Sequence, residues 1–164
     1  MLKELEPLFA QYTRSRETLY KTIESLDGEQ LEECLPERDW SIKDTLVHIA
    51  TNEVLMTQLL KDIANGTSSA LPADFDNQHF NDEQVALGHE KSIEQIRAEL
   101  DSSFANLEAV LDSITPDQLG RRGVHPAAGD TDVKEFFLAM YAHHEVHTRD
   151  VVEQARRLRR AENA

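Results

Sequence analysis

The chain has 164 residues, 40% hydrophobic and 29% charged, with a formal net charge of −14 and one cysteine, Cys34. A length of this order suits one domain around one substantial core, so residues 1–164 are expected to form a single helical unit. The charge repels phosphate backbones and so disfavours nucleic-acid binding, and a lone cysteine excludes an internal disulfide or a thiolate metal cluster and suits a reducing compartment. No apolar run approaches the roughly 20 residues that span a bilayer, and Met1 to Glu6 contains no apolar signal core. A cytoplasmic protein without membrane contact is the expectation.

Apolar residues recur at helical spacing almost throughout. Leu2, Leu5, Phe9, Tyr12, Leu19, Ile23 and Leu26 define a first helix, near-heptad in period, which Asp27-Gly28 is expected to end. A second helix begins after Trp40, with Ser41 as N-cap and Asp44 in the capping-box position. Its stripe is Ile42, Leu46, Ile49, Met56, Leu60 and Ile63, and Asn65-Gly66 closes it. Running from Ser41 to Ala64, it would be about 36 Å long, the size of a bundle helix.

The stretch from Gly66 to about Asn81 reads as a long loop, rich in Gly, Ser, Pro, Asp and Asn. Its length suggests a crossover, a lid or an interface arm. Ile93, Ile96, Leu100, Phe104, Leu107, Leu111 and Ile114 mark a third helix. Thr115-Pro116-Asp117-Gln118 reads as a separate capped turn. A second loop, Arg121 to Asp130, precedes a fourth helix that starts near Thr131 and carries Val133, Phe136, Phe137, Met140, Val151, Ala155 and Leu158. No strand pattern is evident. The expected fold is all-α, a four-helix bundle, antiparallel or partly crossed. A short echo between residues 25–31 and 113–119 suggests two related helix pairs. The basic run Arg156-Arg157-Leu158-Arg159-Arg160 is expected to complement the C-terminal end of the last helix dipole.

Seven histidines are unevenly placed, three of them in Ala142-His143-His144-Glu145-Val146-His147. Residues four apart on a helix share a face, so His143 and His147 can present imidazole nitrogens to one point, as zinc, nickel or iron requires. His48 is the one histidine outside this run in a well-defined helix body, whereas His89 falls near a helix start and His79 and His125 in loops. At 100° per residue His48 lies about 90° from the centre of its stripe, which places a metal at the bundle's open edge with His143 and His147. A deeper metal would take His144 in place of His143. Asp44 and Asn52 share the His48 edge and could orient it, although capping alone accounts for Asp44. Tyr141 points away from His143 on the helical wheel.

The segment Trp40-Ser41-Ile42-Lys43-Asp44-Thr45-Leu46-Val47-His48-Ile49-Ala50, together with the HxxxH pair at His143 and His147, resembles the DinB-like superfamily. The tail Glu145-Val146-His147-Thr148-Arg149-Asp150-Val151 is similar to the last-helix motif of its mycothiol-dependent maleylpyruvate isomerase branch. The resemblance implies a four-helix bundle with a divalent metal held by one histidine of the second helix and two residues of the last, here His48, His143 and His147. It further implies a thiol-dependent transferase or isomerase acting on a small molecule, with a low-molecular-weight thiol as co-substrate, a zinc or nickel ion (iron next), and a homodimer. A metal-dependent hydrolase and a non-catalytic binding bundle with a structural metal or none are the alternatives.

Overall fold

The computed structural model describes residues 1–67, 71 and 74–162. Its elements are α1 (Glu6–Ile23), α2 (Gly28–Glu32), α3 (Ile42–Asn65), α4 (Asn77–Gly88), α5 (Ile93–Ser113), the strands β1 (Arg122–His125) and β2 (Gly129–Asp132), and α6 (Val133–Glu162). The fold is all-α apart from one small hairpin. Its four long helices α1, α3, α5 and α6 are the four read from the sequence.

Local chemistry sets the helix ends. Ser41 and Asp44 form a reciprocal capping box at the start of α3, and Gly66 ends that helix in the left-handed region at φ 70°, where a residue without Cβ meets no steric cost. Ser92 and Gln95 make the corresponding box for α5. α1 ends earlier than expected, at Ile23 with Glu24 as its C-cap, and Asp27 instead caps the short α2 through a box with Gln30.

Two further departures from the sequence reading stand out. The loop expected as far as Asn81 ends earlier, at α4, whose N-cap Asp76 accepts a hydrogen bond from the His79 backbone. His79 is therefore helical, and His89 is the C-cap of α4, three residues before the N-cap of α5. Residues 68–70 and 72–73 of the expected loop lie outside the described residues. The second expected loop contains the antiparallel hairpin β1–β2, pairing Arg122 with Asp132 and His125 with Gly129; Arg122 ties it further through an ion pair to Asp130.

The packing explains why the chain needs a long connection between α3 and α5. One apolar cluster joins Leu5, just before α1, Tyr12 of α1, Met56 to Ala64 of α3, Leu107 to Leu111 of α5 and Val133 to Met140 of α6. A second joins Leu19 and Ile23, Ile42 to Ala50, Ile96 and Leu100, and Val151 to Leu158. The beginnings of α1 and α6 thus meet the ends of α3 and α5, so α3 and α5 run in one direction and α1 and α6 in the other. Two helices that run the same way cannot be joined by a tight turn, and α4 lies within the crossover that returns the chain. Gly88, at its end, approaches α3 so closely that a Cβ there would stand 2.5 Å from Val47 Cγ2.

Between the two apolar clusters lies a polar layer. Glu53 of α3, 3% exposed, accepts hydrogen bonds from Tyr12 Oη at 2.6 Å and Ser103 Oγ at 2.5 Å. Arg16 faces it with Nη1 3.6 Å from Glu53 Oε2 and donates to the Leu100 carbonyl. Burial nevertheless outweighs the Arg16 charge and pushes the Glu53 carboxyl up from its ordinary pKa.

Candidate metal centre

The histidines sit at the height of this polar layer, on facing parts of α3 and α6. His48 Nε2 lies 3.0 Å from His143 Nε2, and His147 Nε2 lies 3.2 Å from the same atom. Ligand atoms of all three residues fall within 4.8 Å of one another. His48 is buried, while His143 and His147 are half-buried. The helical reason is direct: α6 continues unbroken through residues 143–147, so its i,i+4 pair presents one face, and the His48 ring is set edge-on to both, with centroids 5.0 and 4.7 Å away.

Their protonation suits metal ligation. Burial, reinforced by His147 and His143, pushes His48 down to about 3; an interaction with Asn81 works the other way. Burial also lowers His143 to about 4, again helped by its histidine neighbours, and lowers His147, where Asp150 opposes the shift. Neutral imidazoles are therefore the resting form at pH 7, and neutral imidazole is the ligating form. His143 Nε2 touches both other Nε2 atoms and can be fully satisfied by only one of them, because a neutral ring nitrogen is either a donor or an acceptor. Metal–nitrogen bonds of 2.0–2.1 Å at tetrahedral angles would separate the nitrogens by about 3.3 Å, close to the observed spacings. The donor set fits a divalent ion.

The structure does not bring His144 into this group. It is 1% exposed, and its Nδ1 lies 3.2 Å from Ser15 Oγ and 3.3 Å from Thr148 Oγ1, with its ring 4.6 Å from that of Tyr12. The other histidines are elsewhere. His79 pairs with Glu83 on the surface, and His89 Nε2 meets Asp44 Oδ1 at 2.9 Å. His125 Nδ1 accepts the Ala127 and Ala128 backbone N–H groups, and its ring stands edge-on to Phe136. Asp44 is spent on capping, since Oδ2 accepts from Ser41 N and Oγ. Tyr141 packs against the apolar core beside Tyr12.

Residues around the cluster carry signals that periodicity does not. Trp40, in the segment before α3, places its ring 4.9 Å from His48 and 6.5 Å from His147. Asp150 Oδ2 stands 3.9 Å from His147 Nδ1, and Asp150 Oδ1 accepts a hydrogen bond from Arg38 Nη1 at 3.2 Å. A cavity of about 630 Å³ opens beside His147, bordered by Trp40, Asp150, Thr45, Gln78, Asp82 and Gln154 among others. Only the position of Asp150, three residues after His147, could have been read from spacing.

A four-helix bundle with three convergent imidazoles across two of its helices defines the class: a helical-bundle protein with a site that could hold a metal ion. The chain matches the model of the DinB superfamily over residues 11–151 and belongs to that superfamily. Among solved structures it is similar in fold to the mycothiol-dependent maleylpyruvate isomerase, with 16% identity and a TM-score of 0.71 over 92% of this chain. The match spans 63% of the isomerase's length. An uncharacterised protein from Clostridium difficile 630 aligns over 98% of both chains at 12% identity and a TM-score of 0.72. A protein from Streptococcus pneumoniae aligns over 92% of this chain and 91% of its own, at 15% identity and a TM-score of 0.65. No curated protein matches the chain in sequence. No described helix is long and apolar enough to cross a membrane.

Proposed function

We propose that this chain is a divalent-metal-dependent enzyme of the thiol-dependent S-transferase or isomerase type, with His48, His143 and His147 as the metal ligands. The observation that carries this reading is the convergence of three neutral Nε2 atoms beside a cavity of small-molecule size. Zinc or nickel suits such a donor set, with iron next. Three protein ligands leave coordination open, and an ion held there would lower the pKa of a bound thiol or water. Asp150 favours the His147 tautomer with its proton on Nδ1, which leaves the Nε2 lone pair directed at the cluster. Trp40 places its ring beside His48 and lies near His147 at the border of the cavity. The thiol is suggested by likeness of fold to a protein named for its mycothiol dependence.

Elemental analysis of the purified protein tests the ligand set. About one zinc or nickel per chain is expected, and a His48→Ala variant should lose it while circular dichroism still reports a helical bundle. Failure to bind either ion after incubation would overturn the proposal, and retention by the variant would overturn the ligand assignment. Screening the loaded protein with low-molecular-weight thiols then separates transfer from hydrolysis, since a hydrolase would turn over without them.

A further inference from the structure

The cavity beside His147 has an uneven chemistry. Its border carries four carboxylates, Glu37, Asp39, Asp82 and Asp150, against one guanidinium, Arg38. Arg38 is matched by Asp150 at 3.2 Å, and Glu37 by Arg157. Asp82 accepts only the neutral amide of Gln78, at 2.9 Å, and Asp39 makes no ion pair with the described residues. Two negative charges therefore face the cavity uncompensated.

Gln154 is an independent indication. Its side chain is 3% exposed and borders the same cavity. Its Nε2 donates to the Trp40 carbonyl at 3.1 Å, which fixes the amide's orientation, because a carbonyl cannot accept from Oε1. Oε1 is then left as an acceptor without a partner among the described residues, although it belongs to a nearly buried side chain. The small exposed part of this side chain borders the cavity, so the cavity is where a donor can reach Oε1. The aromatic ring of Trp40 borders the same space and attracts cations through its π face.

We propose that this cavity takes a small molecule bearing an ammonium group, received by Gln154 Oε1, Asp39 and Asp82 beside Trp40, with its second functional end directed toward the histidines. Recognition of the ammonium stands on the cavity alone; only the role of the other end rests on the metal-site reading above. A cleft lined by one sign of charge concentrates ligands of the opposite sign. An acidic substrate or thiol would meet Asp39 and Asp82 without compensation.

The test uses two thiols alike in size and opposite in charge, cysteamine and 3-mercaptopropionate. Trp40, the single tryptophan, reports binding by its fluorescence, first in metal-free protein and then after zinc loading. Cysteamine should bind at least about fivefold more tightly than 3-mercaptopropionate in both states. In an Asp39→Asn/Asp82→Asn double variant the ratio should fall close to one. A control with two acids neutralised away from the cavity, Glu17→Gln/Glu108→Gln, should keep it, which separates the local field from the net charge of the chain. Equal or reversed preference in metal-free protein, or no response to millimolar cysteamine, would overturn the proposal. Failure to load zinc with the metal-free preference intact would instead overturn the metal-site reading and leave the ammonium site standing.

Discussion

His48 and His143 are 95 residues apart in the chain, yet their Nε2 atoms stand 3.0 Å from each other. His143 Nε2 also meets His147 Nε2 at 3.2 Å, so one ring proton there cannot serve both contacts. An ion between the rings would replace this incomplete pairing with a cross-link between α3 and α6. Added zinc or nickel should therefore raise the melting temperature, by an amount equivalent to about 2.7 kcal/mol when free metal is 100 times its dissociation constant. His48→Ala should abolish the shift. Differential scanning fluorimetry with and without a chelator measures both.

Acid should weaken the metal-free protein. Unfolded imidazoles take up protons below about pH 6.5, whereas burial holds His143 at about 4 and His48 and His144 at about 3 in the folded state. Between those limits the unfolded chain binds more protons, so stability falls as pH drops from about 6.5 toward 3. Above about pH 6.5 these groups contribute no slope. Urea unfolding midpoints across that range, with chelator present, should decline; a midpoint independent of pH would contradict the assigned burial of these rings.

The polar layer gives a sharper stability prediction. Removing the Glu53 carboxylate leaves Arg16, itself 5% exposed, with only the solvent-exposed Asp101 carboxylate at 3.6 Å to offset its charge. Glu53→Ala should cost about 3–5 kcal/mol by chemical denaturation. Tyr12→Phe deletes only the hydroxyl that donates at 2.6 Å and should cost about 1–3 kcal/mol.

Gly88→Ala should destabilise the bundle by about 1–3 kcal/mol through overpacking, because its new methyl would collide with Val47. Combining it with Val47→Ala should recover part of the loss, since the smaller residue vacates the space. A double-mutant cycle on unfolding free energy reads the coupling.

How much of this was legible in the sequence depended on how strongly each element is marked. α3 announces itself through a stripe from Ile42 to Ile63 and a capping box, and its ends follow the sequence reading closely. α4 does not. It buries only Asn81, Val85 and Gly88, and its first residues, Asn77 to Asn81, have the composition of a turn. The hairpin was hidden differently: its Gly and Pro residues signalled a reversal, but strands of four residues alternate too briefly to register. The i,i+4 spacing and the off-centre place of His48 single out the three histidines that the fold brings together. Trp40, Gln154 and Asp82 could not be found that way, because they meet at the cavity from the segment before α3, from α6 and from α4. Contacts of that kind depend on how the elements dock, and periodicity within one element carries no trace of them.

The separation of the histidines along the chain also orders events in time. During synthesis α3 emerges with a single imidazole, and a partner appears only when α6, the last of the described helices, has been made and has docked. A cluster of three nitrogens is thus a product of completed folding, and cannot serve as a nucleus for it. Any ion that needs all three must be captured late, from whatever the surroundings offer to an already assembled bundle.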